Sequence, residues 1–301
     1  MPRAAIDIGS NTLLLLIQDD AGVVLADEAR IVGLGRGLGD RGLFLPDRMD
    51  AALDALRDFA EIAKQLGLAP WEVRAVATSA ARRALNARTF FQRVEAETGL
   101  RVRVISGEDE AALTWAGALG GLVLPEGPIA VVDLGGGSTE IVVGTAERVL
   151  ARQSLELGTV RLTEAFFTAE DGRPRAGEVG RLRAHIESAV AGFAWPVLPR
   201  ALVGVAGSAT TLYAIEAGLP ALTRDRVHGA RLSRAALRRA VDRLAEAGPR
   251  ERREIAAVAP ERADYLLAGA IVLEALCTRA NRDSLLVSDG GVRHGLLAAP
   301  A

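Results

Sequence analysis

The chain has 301 residues, half of them apolar and a quarter charged, with a formal net charge of −2. That length can support two domains with separate cores, and the nearly balanced charge gives no global field to draw in nucleic acid. Aromatics at 4% argue against base stacking on single strands, and no run reaches the ~18 to 20 apolar residues of a membrane helix.

The single cysteine, Cys277, excludes an intrachain disulfide and fits a reducing cytoplasm. Only one of the 36 basic residues is lysine, Lys64, as a GC-rich genome would produce. A strand begins by Ala4, leaving no room for a signal core before it.

Strands are expected at Ala4–Ile8, Leu13–Asp19 and Val23–Arg30, joined by tight turns. The next segment, Gly33 to Gly42, contains Gly37-Leu38-Gly39-Asp40-Arg41-Gly42, which matches GxGxxG. It follows an antiparallel meander rather than joining a parallel strand directly to a helix, so it reads as a flexible loop and not a dinucleotide fingerprint. An amphipathic helix follows over Asp47–Leu66. Strand Val73–Ala77, a helix around Phe90–Thr98, strand Val102–Ile105 and helix Asp109–Gly120 complete the first half. Pro125-Glu126-Gly127-Pro128 is a strong breaker, so the domains are expected at 1–124 and 125–301.

The second half begins in the same way, with strands at Ile129–Leu134, Glu140–Val143 and Val149–Leu155. A helix around Glu178–Phe193 and strand Ala201–Val205 come next, and Gly207 opens another helix. Helices near Ser233–Ala247, Arg250–Val258 and Arg262–Thr278, strand Ser284–Val287 and a short terminal helix close the chain. A βββαβα pattern occurring twice predicts a duplicated α/β fold with an interdomain cleft.

The two hairpins rhyme. Asp7-Ile8-Gly9-Ser10-Asn11-Thr12 and Asp133-Leu134-Gly135-Gly136-Gly137-Ser138-Thr139-Glu140 each end a strand in aspartate and turn through Gly and Ser. Glycines let backbone N–H groups come close to an anion, and the aspartates suit a divalent cation. Two such turns facing each other would clamp phosphate and Mg²⁺. Thr78 to Arg83 places hydroxyls and arginines at a strand end, suited either to phosphate or to solvent. Gly207-Ser208-Ala209-Thr210 offers backbone amides at a helix start. In Ser106-Gly107-Glu108-Asp109-Glu110 the acids fit a helix N-terminus, and Glu110 is also placed to activate water. Spacing alone leaves both readings open. His185, His228 and His294 share no metal-ligand spacing, and neither a P-loop nor a GxSxG elbow occurs.

On these segments the chain resembles the exopolyphosphatase and guanosine pentaphosphate phosphohydrolase family of the actin-like superfamily, nearly end to end. Asp7–Thr12 and Asp133–Glu140 are similar to its two phosphate loops, and Ala77 to Arg82 to its Ala-Thr-x-x-x-Arg segment. Ile105 to Ala111 resembles the segment whose last glutamate is the catalytic base, which implies that role for Glu110. Arg262-Ala263-Asp264 and Ser288 to Gly295 also look like family segments. Ser208 departs mildly from the usual Gly or Thr, as does His294 from a larger or acidic residue. The resemblance is to the short form of the family, which is expected to lack the helical C-terminal domain of long members.

The resemblance implies two actin-like (ribonuclease H-like) α/β domains and an enzyme that removes the terminal phosphate of inorganic polyphosphate. Glu110, Asp133 and Glu140 would be catalytic. Asp7, Asp133 and Glu140 would organise Mg²⁺, with Mn²⁺ as an alternative. Ser10, Asn11, Arg82, Gly135, Gly136, Gly137, Ser138, Gly207 and Ser208 would hold phosphate. Removal of the 5′ γ-phosphate of guanosine pentaphosphate (pppGpp), or a catalytically silent polyphosphate- or (p)ppGpp-binding regulator, are the alternatives. A cytoplasmic protein without nucleic-acid or membrane partners is expected, with a homodimer left open.

Overall fold

The computed structural model describes residues 1–145, 148–167, 173–256 and 259–299. The chain divides into two compact units, Met1–Gly117 with Val292–Ala301, and Ala118–Gly291.

The first unit is built on a five-stranded sheet in the order β3-β2-β1-β4-β5, formed by β1 (Arg3–Ile8), β2 (Thr12–Gln18), β3 (Val24–Ile31), β4 (Arg74–Ala77) and β5 (Val102–Val104). β1, β2 and β3 form an antiparallel meander, and β4 and β5 add to β1 in parallel. β1 is central, and its buried residues Ala4, Ala5, Ile6 and Ile8 are all apolar, as suits a strand covered on both faces. β3 lies at the edge and reads Val-Leu-Ala-Asp-Glu-Ala-Arg-Ile, half of it exposed and none of it buried. One face of the sheet packs on the helix Pro46–Gln65, which starts with Pro at its first turn and buries Leu53, Leu56, Phe59 and Ala63 at helical spacing.

The second unit repeats the plan with one more strand. Its order is β10-β11-β9-β6-β7-β8, from β6 (Ile129–Leu134), β7 (Thr139–Gly144), β8 (Val149–Leu155), β9 (Ala201–Val205), β10 (Arg231–Ser233) and β11 (Ser284–Val287). The largely apolar helix Leu266–Arg279 lies in the middle of its core. Glu274, on that helix, is buried and bridged by Arg183 at 2.7 Å and Arg238 at 3.1 Å, which ties three helices to one carboxylate. Cys277 is buried one turn further on, and burial pushes its thiol up to about 12, so it is packing and not a nucleophile.

Three expectations change. The segment Gly33–Gly42 is not a flexible loop: Gly35 N–H donates to Ser10 O at 2.7 Å, Leu38 is buried, and left-handed Gly37 and Gly42 bracket one helical turn. A helix at Thr159–Phe166 and the short strand β10 are additions. The expected helix Arg250–Val258 forms over Pro249–Ile255, and its last two positions lie outside the described residues.

The domain division also shifts. The last ten residues belong with the first unit, and the break falls after Gly117 rather than at residue 125. The reason is side-chain chemistry. Arg293 is buried, pairs with Asp27 of β3 and donates to Leu15 O. Arg3 and Arg74 donate to the carbonyls of Leu297, Leu296 and Ala299 at 2.6–2.9 Å, serving oxygens that the end of a helix leaves without partners. Val292, Leu296 and Leu297 join Ala5, Leu16, Val76 and Ile105 in one apolar cluster.

Removing one partner of a buried pair is costly because the other charge and the freed carbonyl lose their compensation. Arg293→Ala should lower stability by about 2–3 kcal/mol in urea unfolding. Arg101→Ala, which breaks an exposed pair with Glu95, should change it by less than about 1 kcal/mol.

Candidate active site

The β6–β7 turn is held from behind. Gly135 N–H bonds Ser138 O at 3.0 Å, closing the turn, and the N–H groups of Thr159, Val160 and Arg161 reach the carbonyls of Gly135 and Gly136 at 3.0–3.2 Å. Those donors are the first amides of the helix Thr159–Phe166, which would otherwise be left without acceptors. The approach requires glycine at position 158: a Cβ there would lie 2.2 Å from the carbonyl carbon of Gly137 and 2.3 Å from Gly136 O. With the carbonyls of Gly135 and Gly136 occupied and the Gly135 N–H closing the turn, the N–H groups of Gly136 and Gly137 and the Ser138 hydroxyl are left to offer an anion.

The first unit uses the same device. The carbonyl of Asn11 accepts from Val32 and Gly33 N–H, and that of Ser10 from Gly35 N–H. In both units the donors come directly after the third strand of the meander. Ser10 and Asn11 are buried, and Asn11 Oδ1 has no hydrogen-bond partner among the described residues. Asp7 stands on β1 opposite Leu14.

Asp133 and Glu140 face each other across the antiparallel pair β6–β7, a register that places their Cβ atoms ~5 Å apart. Glu140 is almost fully buried and accepts from Ser154 Oγ at 2.7 Å. Among the described residues no group of three or more His, Cys, Asp or Glu is placed to hold a metal. Asp133 and Glu140 are adjacent hard oxygen donors, which fits a cation that takes its other ligands from water or phosphate. Asp7 lies in the other unit.

Glu110 sits in the first turn of the helix Gly107–Ala118. The local acids divide their work. Ser106 Oγ accepts from Asp109 N–H at 3.0 Å and donates to Asp109 Oδ2 at 2.9 Å, so Asp109 serves the cap. Glu110 is 6% exposed and its Oε2 accepts from Arg82 Nη1 at 2.6 Å. The same nitrogen donates to Ile105 O at 3.1 Å. Arg82, expected at phosphate, holds Glu110 through this one nitrogen and so fixes the carboxylate's orientation.

Gly207 and Ser208 open the helix Ala206–Glu216. Two features here were not anticipated. Ala206 has φ +67°, a left-handed conformation that costs a non-glycine residue about 1 kcal/mol. The guanidinium of Arg262 lies against Gly207, where a Cβ would come within 2.0 Å of Nη1. Burial lowers the pKa of Arg262 from its ordinary value. Its sequence signal was the Arg262-Ala263-Asp264 segment, which carried no role by itself.

The profile of the Ppx/GppA phosphatase family matches residues 16–300. The chain belongs to that family. It is 38% identical to Exopolyphosphatase 2 of Mycobacterium tuberculosis, with 97% of this chain and 96% of that protein covered. Among solved structures, the Aquifex aeolicus Ppx/GppA family member aligns with a TM-score of 0.80 at 34% identity, covering 99% of this chain and 96% of that one. An exopolyphosphatase from Cytophaga hutchinsonii aligns at 0.87 and 27% identity, covering 99% and 97%. The fold is the two-domain actin-like architecture of these family members.

The Gly158 contact yields a contrast between two glycines of the second unit. Gly158→Ala should disrupt the β6–β7 turn and lower phosphatase activity at least about a hundredfold, since a displaced set of donors loses its alignment. Gly180→Ala, at a helical position where a Cβ meets nothing within 4 Å, should leave activity unchanged and raise stability by up to about 1 kcal/mol. Phosphate-release assays with thermal unfolding of both variants check this.

Proposed function

We propose that this chain is an exopolyphosphatase that hydrolyses the terminal phosphoanhydride of inorganic polyphosphate and releases orthophosphate. The observation that carries the reading is Glu110, a buried carboxylate whose Oε2 is held by Arg82 at 2.6 Å. The relative named Exopolyphosphatase 2, similar over nearly its whole length, supports the substrate class.

In this reading Glu110 accepts a proton from the attacking water, and Arg82 keeps the carboxylate directed toward it. The N–H groups of Gly136 and Gly137 and the hydroxyl of Ser138 stabilise charge on the phosphoryl oxygens as the anhydride breaks, whereas the Gly135 N–H, expected among the phosphate donors, is used within the turn on Ser138 O. The Ser10 hydroxyl, Asn11 amide and the Gly207–Ser208 helix start are further phosphate donors. Asp133 and Glu140 would hold Mg²⁺, which would neutralise charge on the phosphate chain. The buried thiol of Cys277 agrees with a reducing compartment, and cytoplasmic action is part of the proposal. Among the described residues no helix is long and apolar enough to cross a membrane.

Glu110→Gln keeps size and hydrogen-bonding reach but cannot take the proton. Phosphate release from polyphosphate should fall by about 10²–10⁴ while polyphosphate binding is retained. A variant keeping more than a tenth of the rate would remove Glu110 as the base. EDTA should abolish turnover of the wild-type protein, and full activity in EDTA would dismiss the role given to Asp133 and Glu140.

A further inference from the structure

A groove of about 590 Å³ lies in the second unit, away from the Gly135–Ser138 turn. It is lined by Arg200, Arg231 and Arg282, with Val123, Leu124 and Pro125 along one wall. Ala201, which pairs with Ile129, and Ser284 at the start of β11 place it at the strand ends opposite the turn. The length of β6 separates the two by about 17 Å.

The arginines are what distinguish this groove. Several other arginines of this chain are paired with carboxylates: Arg183 and Arg238 share Glu274, and Arg293 has Asp27. Arg200, Arg231 and Arg282 form no ion pair among the described residues. The one acid in the lining, Asp283, is already bound to Arg234 at 3.1 Å.

One of the three is also held in place. Asn281 adopts φ +53° after the helix Leu266–Arg279, and Asn281 and Arg282 N–H close that helix end on Thr278 O and Cys277 O. Arg282 Nε then donates to Asn281 O at 2.6 Å and Nη1 to Arg200 O at 3.3 Å. These bonds hold the Arg282 guanidinium on the backbone carbonyl of Arg200. Three arginines lining one groove, with a single carboxylate that is already paired, suit an anion with several negative oxygens.

We propose that this groove is a second anion site, separate from the β6–β7 turn, that binds an oligophosphate chain. Guanidinium groups match phosphate oxygens in pairs, so three of them suit successive phosphate groups better than a single carboxylate. The apolar wall of Val123, Leu124 and Pro125 leaves room for an organic substituent on that chain. The site requires no turnover and stands whether or not Glu110 is the base.

Isothermal titration with inorganic tripolyphosphate, in EDTA at low salt, tests it. The wild-type protein should show a binding event that the triple variant Arg200→Ser, Arg231→Ser, Arg282→Ser loses or weakens at least about tenfold. Gly158→Ala should keep that event. The single variant Arg231→Glu, at an exposed position, should weaken the event while circular dichroism shows the fold intact. Its magnitude should fall with added salt, as expected for released counterions. A parallel titration with a nucleoside triphosphate separates the sources: tighter binding assigns the apolar wall to a base, and equal binding assigns the site to the phosphate chain alone. Identical tripolyphosphate binding by the wild-type protein, the triple variant and Arg231→Glu would overturn the proposal, as would loss of the groove event in Gly158→Ala.

Discussion

The close approach of Gly158 to the β6–β7 turn is the contact on which the site in the second unit rests. Carbonyl oxygens repel phosphate, so a glycine-rich turn becomes an anion site only when its carbonyls are directed elsewhere. Here the amides of Thr159, Val160 and Arg161 take the oxygens of Gly135 and Gly136. They reach them because no Cβ stands between the two backbones at position 158. The first unit solves the same problem with Val32, Gly33 and Gly35 acting on Asn11 and Ser10. Donors arriving straight after the third strand in both cases give the duplication a chemical meaning: the repeated part is a hairpin together with the segment that occupies its carbonyls.

Much of this was legible in the residues. The hairpins announce themselves because Asp7–Thr12 and Asp133–Glu140 combine apolar strands with turns that need glycine. The helix Pro46–Gln65 has its proline, its acid and its apolar spacing in the right order. The helix Thr159–Phe166 was not visible, because Thr159 and Val160 favour a strand by local preference and only the tertiary bonds to Gly135 and Gly136 set its first turn. β10 is three residues long, too short for any period to show. The return of Val292–Ala298 to the first unit rests on Arg293 meeting Asp27, a pairing of residues far apart in the chain that no local pattern carries.

The site residues were legible in kind and less so in partnership. Glu110 and Arg82 were both singled out, but for different tasks, and their mutual bond at 2.6 Å joins two segments 28 residues apart. Arg262 was visible only as part of a segment. Its contact with Gly207 depends on a one-turn helix at Pro260–Arg262, where a longer helix was expected to begin.

Sheet topology explains why these pairs form where they do. Arg82 follows β4 and Glu110 follows β5, two neighbouring parallel strands, so both leave the sheet at the same edge. Ala206–Ser208 follows β9, which runs parallel to β6 and ends beside Asp133. In open α/β sheets the carboxyl ends of parallel strands are where side chains gather without disturbing the core. A parallel neighbour therefore does more here than extend the sheet. It brings a helix start, with its unpaired amides, and the charged first turn of that helix to the level of the hairpin turn. The antiparallel meander supplies the anion-binding turn, and the parallel strands supply the groups beside it. A shift of one residue in the Asp133–Glu140 register of β6 and β7 would turn the two carboxylates to opposite faces of the sheet.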